Sequence, residues 1–80
     1  MLEEEMIDLL TFYLQNPDSP EIPGKRKRVL EIGNELCSDG GVDAMETMYF
    51  ALENRIKDEI GKDPKSCRSW WNGITSEWNY

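Results

Sequence analysis

Four consecutive cations, Lys25-Arg26-Lys27-Arg28, are the one concentrated basic feature of this chain. Such a run can meet a few phosphates or hold an acidic protein surface. The chain around it is acidic, with 16 Asp and Glu against 9 Lys and Arg and a formal net charge of −7. That balance repels nucleic acid and anionic membranes. No aromatic residue interrupts the run, so the favoured reading is a solvated first helical turn paired with Glu3, Glu4, Glu5 or Glu21. Nucleic-acid contact through Lys25 to Arg28 is the competing reading.

The remaining chemical inventory is thin. There is no histidine, so a nucleophile would need an Asp, Glu, Lys or Tyr base in a dry pocket, and no spacing suggests one. Cys37 and Cys67 lack the short paired spacing of zinc sites and read as free thiols in a reducing compartment, with one bridge between helices as the alternative. Asp58-Glu59 and Glu3 to Glu5 could meet a hard cation, but neighbouring helix positions point apart and no loop alternates as calcium loops do. The corner Asp39-Gly40-Gly41-Val42-Asp43 precedes a helix start, where its two aspartates oppose a phosphate. We therefore assign no catalytic, cofactor-binding or metal residue and expect no small-molecule substrate. A chain of 80 residues also has little material for the walls of a ligand cleft.

The aromatic side chains concentrate at the C-terminus, where Trp70, Trp71, Trp78 and Tyr80 fall within eleven residues and include all three tryptophans. Adjacent positions on an α-helix differ by about 100°, so Trp70 and Trp71 should face different ways. Trp71 shares a stripe with Cys67, Ile74 and Trp78 and belongs to the core. Trp70 is left as the contact candidate, with Trp78 and Tyr80 beside it, because interfaces are enriched in aromatic residues.

Helical spacing supplies the elements that must position these residues. Leu2, Met6, Leu9, Leu10 and Tyr13 predict a first helix over residues 1–15, with Glu3 to Glu5 at its positive end. Three prolines and a glycine in residues 16–24 predict a stiff connector that could also swap helix one onto a second subunit. Val29, Ile32 and Leu36 predict a second helix over about 25–38, in which Gly33 hints at another backbone close by. Asp39-Gly40-Gly41 should stop it, and Asp43 with Glu46 fits a capping box for a third helix. Met45, Met48, Tyr49, Leu52, Ile56 and Ile60 give that helix its apolar face, opposite a Glu53–Lys57 pair, and Gly61 ends it. Met45 and Met48 read as core; pliable thioethers beside the Gly40-Gly41 corner could also accept an apolar partner. Asp63-Pro64 predicts a further helix start, with Gly73 breaking the tail into irregular chain. The expectation is one all-α domain over 1–80, a bundle of three to four helices with 25–80 as its core.

From Ile32 to Trp78 the sequence resembles a group of small uncharacterised bacterial proteins. The resemblance rests on Ile32-Gly33-Asn34-Glu35-Leu36, Gly40-Gly41-Val42-Asp43-Ala44-Met45, and Trp71-Asn72-Gly73-Ile74 with Trp78. It departs at Asn72, where the group's pattern has Asp, and by one extra residue between Trp71 and Trp78. The resemblance implies a related helical fold and no particular activity.

With neither a basic leader nor an apolar run of membrane length, the chain reads as a cytoplasmic, non-enzymatic protein without cofactors. Its work would be contact with a protein partner or with itself as a homodimer, through helix one and the Trp-containing C-terminus.

Overall fold

The computed structural model describes residues 2–80; Met1, which begins the expected first helix, lies outside them. Helix α1 covers Leu2–Gln15 and buries Met6, Ile7, Leu9 and Leu10. Asn16 completes its last turn, its backbone N–H and side-chain Nδ2 both donating to the Phe12 carbonyl, at 2.8 and 3.3 Å.

The second helix starts earlier than proline content suggests. Helix α2 covers Ile22–Ile60, with Pro23 in its first turn, where a missing N–H costs nothing because no intrahelical partner exists there. The connector is therefore residues 16–21, held by short-range turns such as Ile22 N–H to Ser19 O at 3.1 Å.

Helix α2 is interrupted at a single residue. Gly41 sits at φ 70°, ψ −159°, a backbone region open in practice to glycine alone. A straight helix of 39 residues would be about 58 Å long at 1.5 Å per residue, yet the longest dimension of the molecule is 29 Å. Gly41 therefore turns the chain so that an arm of residues 22–40 and an arm of residues 42–60 share one core. The expected stop at Asp39-Gly40-Gly41 narrows to one residue. The capping box is not formed: helix resumes immediately after Gly41, and Asp43 is exposed.

Gly61, at φ 69°, closes the second arm with its N–H on the Lys57 carbonyl, the left-handed cap that glycine suits. Asp63 then caps a 3-10 helix, Pro64–Trp71, accepting from the Lys65 N–H at 2.9 Å. Among the described residues there is no strand, and the architecture is all-α. No helix among the described residues is long and apolar enough to cross a membrane.

One buried cluster joins these pieces: Met6, Leu9 and Leu10 from α1, Val29 and Ile32 from the first arm, Met45, Tyr49, Leu52 and Ile56 from the second, and Cys67, Trp70, Trp71 and Trp78 from the C-terminal segment. Gly33 is where the first arm admits the indole of Trp71. A Cβ there would lie 2.6 Å from Trp71 Nε1 and from Ile74 Cδ1.

Candidate contact surface

The C-terminal aromatics are mostly interior. Trp71 is fully buried, and its Nε1–H donates to the Val29 carbonyl at 2.7 Å. Trp78 is 1% exposed, donating to the Arg68 carbonyl at 2.7 Å. Both indoles thus satisfy the N–H that makes tryptophan costly to bury. Their rings meet edge to face at 5.2 Å, and Tyr49 packs on both, at 5.5 and 6.1 Å.

Trp70 corrects a sequence expectation. It is only 8% exposed, with its ring 4.8 Å from that of Tyr13 on α1 and Arg26 stacked over it at 5.4 Å. Two features let adjacent tryptophans bury together. The segment is a 3-10 helix, which advances about 120° per residue, and it lies between two walls, with Trp70 against α1 and Trp71 against both arms of α2. Trp78 is likewise withdrawn from the surface. Of the three aromatic candidates, only Tyr80 remains exposed, at 56%.

The basic run is held largely within the molecule. Arg28 grips Glu5 through Nε at 2.6 Å and Nη2 at 2.9 Å and also reaches Glu31 at 3.3 Å. The pairing holds the Glu5 carboxyl below its ordinary range, chiefly through the hydrogen bond from Arg28, and raises the guanidinium. Lys25 caps the Phe12 ring at 4.4 Å, and Arg26 covers Trp70. Only Lys27 makes neither an ion pair nor a ring contact among the described residues. The structure thus ties three of the four cations to α1 and the C-terminal segment.

Elsewhere the structure leaves apolar material outside. Phe50 is 65% exposed on the second arm. It lines a groove of about 400 Å³ with Glu46, Thr47, Arg68 and Tyr80. Thr47 also lines a second groove, about 430 Å³, with Glu3, Leu36, Asp43, Ala44, Met48 and Ala51. Thr47 is common to both linings: the Phe50 groove lies between the second arm and the C-terminal segment, whereas the Met48 groove lies on the arm's other flank, toward α1 and Leu36 of the first arm. Met48 is half-buried there, whereas Met45 is fully buried.

Arg68 organises the groove's C-terminal wall. Its Nε donates to Glu53 at 2.7 Å, its Nη1 to the Tyr80 hydroxyl at 3.2 Å, and its guanidinium lies 5.1 Å from the rings of both Tyr49 and Tyr80. Glu53 therefore pairs with Arg68 rather than with Lys57, which turns to Asp63 at 3.6 Å. Asn72 fastens the backbone of Tyr80 from both sides, accepting from its N–H at 3.0 Å and donating to its carbonyl at 3.3 Å. An aspartate at 72 could make only the first of these bonds. With Arg68 paired to Glu53 and Glu3 to Arg55, the charged residues lining the two grooves that make no ion pair among the described residues are the exposed acids Glu46 and Asp43.

The thiols are separate and free, Cys37 half-buried and Cys67 buried. Burial pushes the Cys67 thiol up to about 11, which suppresses the nucleophilic thiolate. Among the described residues, no group of three or more Cys, Asp or Glu side chains is placed to hold a metal ion.

No family model, curated protein or solved structure matches the chain. Phe50, Thr47 and Arg68 were not singled out by sequence. The available signal was that Phe50 follows Tyr49 by about 100°, which puts a large ring off the buried stripe.

Proposed function

We propose that this protein is a cytoplasmic contact module that binds an apolar, basic segment of a partner protein along the second arm of α2. The observation that carries this reading is Phe50, an aromatic ring 65% exposed in a groove it shares with Tyr80. Scattered surface apolar residues are ordinary, but here the ring shares its groove with Tyr80, itself 56% exposed, so two large rings are presented together. Aromatic side chains are among the types enriched at interface cores. Asp43 and Glu46 along the rim select for cations. Arg68 and Asn72 fix Tyr80 before any partner arrives, which limits the ordering cost of binding. The activity is non-catalytic in this reading, and the resemblance to small bacterial proteins of the same motif order is a proposal of kinship on the same footing.

The test uses a 14-residue amphipathic helix of Leu and Lys as the probe, with its Leu and Glu counterpart as control, titrated into the 15N-labelled protein. The expected result is saturable shifts at Thr47, Phe50 and Tyr80 with the basic peptide alone, reduced at least about tenfold in affinity by Phe50→Ser and weakened by Asp43→Asn with Glu46→Gln. Shifts centred on residues 25–28, or equal binding of the two peptides, would overturn the reading.

A further inference from the structure

The corner at Gly41 joins two halves, each of which carries its own fastenings. In residues 2–40, α1 is locked to the first arm by the two-toothed Arg28–Glu5 contact. In residues 42–80, the 3-10 helix is locked to the second arm by Arg68–Glu53 and by the Tyr49 hydroxyl donating to the Pro64 carbonyl. Other contacts cross between the halves: Trp71 to Val29, Arg55 to Glu3 at 3.0 Å and Glu4 at 3.2 Å, Lys62 to the Leu14 carbonyl at 3.1 Å, and Trp70 against Tyr13. Every crossing contact is equally available from a second copy. Only one residue, Gly41, departs from helical geometry between the two arms.

We propose that Gly41 is a hinge at which α2 straightens into one helix, so that two copies of this chain exchange their halves and rebuild the same core in trans. A Cβ at Gly41 would meet nothing within 4 Å. A side chain there consequently disfavours the corner by backbone conformation alone, since φ 70° with ψ −159° is a glycine region. The straight helix would gain from the same change, because alanine is the better helix former. Glycine at 41 thus holds the balance toward the closed monomer. In the exchanged dimer the hinges of the two copies lie together, which brings Asp39 and Asp43 of both near the two-fold axis. Their repulsion also favours the monomer and is screened by salt.

This inference is independent of the Phe50 reading. Glu46, Thr47, Phe50, Arg68 and Tyr80 all belong to the second half, so peptide binding survives exchange. The experiment is sedimentation equilibrium from 10 µM to 1 mM, in low and high salt, on the natural chain and Gly41→Ala. Gly41→Ala is expected to lower the dimer dissociation constant at least about tenfold, with salt lowering it further. Exchange is then identified by mixing two chains in the Gly41→Ala background, one with Glu3→Arg and Glu4→Arg, the other with Arg55→Glu. Each chain opposes like charges within itself, while an exchanged heterodimer restores attraction at both places. Heterodimer above the binomial share supports exchange. A Gly41→Ala chain that stays monomeric, that loses its helical circular dichroism without assembling, or whose charge-reversed forms pair at random would overturn it.

Discussion

Two sets of aromatic side chains meet opposite fates in this molecule. Trp70, Trp71 and Trp78 are drawn inside, whereas Phe50 and Tyr80 stay at the surface. The difference follows from what each ring finds. The Trp71 and Trp78 N–H groups reach backbone carbonyls, and Trp70 is sealed between Tyr13 and Arg26. Phe50 projects from the outer side of the second arm, one residue beyond the buried stripe. The lesson is that local density of large rings marked the core, while the exposed face pairs Phe50, a ring set apart from that cluster, with Tyr80 at the cluster's edge.

Substitution separates the two sets most widely at Trp71 and Phe50. Trp71→Ala is expected to lower unfolding free energy by about 3–5 kcal/mol, as for large core aromatics, while Phe50→Ser should change it by less than about 0.5 kcal/mol. Urea denaturation followed by circular dichroism measures both; similar losses would break the comparison. Next in size is Gly33→Ala. The added Cβ would press on an indole fixed by its hydrogen bond to Val29, so a cost of about 1–3 kcal/mol is expected by thermal melting.

The smallest effect is a pH dependence confined to the buried set. Burial raises both the Cys67 thiol, from 9.0 to about 11, and the Tyr49 hydroxyl. Raised values mean that the folded state favours the protonated forms, so the Cys67 contribution is complete below the ordinary thiol range and is lost as pH rises toward 11, while that of Tyr49 is lost only at higher pH. Stability should decline above about pH 9, and Cys67→Ala should flatten the early part of that decline. An unchanged slope in Cys67→Ala would show that the thiol is not the titrating group.

Much of the fold was legible because apolar spacing reports helices well. The residues of α1 and both arms of α2 were marked by their own sequence, and Asp63-Pro64 announced the C-terminal segment; Gly33 marked a close approach, but what comes close is the side chains of Trp71 and Ile74 rather than another backbone. What was not legible depended on tertiary setting. Pro23 looked like part of a connector because its tolerance depends on where the helix begins. The inward turn of Trp70 required both a 3-10 twist and the presence of α1. The capping signal at Asp43 was overridden by a corner completed at Gly41. Lys25 to Arg28 were visible as charges, but their rings and carboxylates come from distant segments, so their internal use was not. Of the contact candidates read from sequence, Tyr80 alone sits in the Phe50 groove, because the other members of that groove come together only once Arg68 is folded against Glu53.

The claim at the centre of this account is that partner contact runs through the Phe50 groove and not through the basic run. Photo-cross-linking in living cells tests it most directly, with benzoylphenylalanine placed at position 50 in one chain and at position 27 in another. The expected result is a discrete adduct from position 50 that fades at least about tenfold when Asp43→Lys and Glu46→Lys reverse the rim, and none from position 27. An adduct from position 27 alone, or one from position 50 indifferent to that charge reversal, would contradict the account.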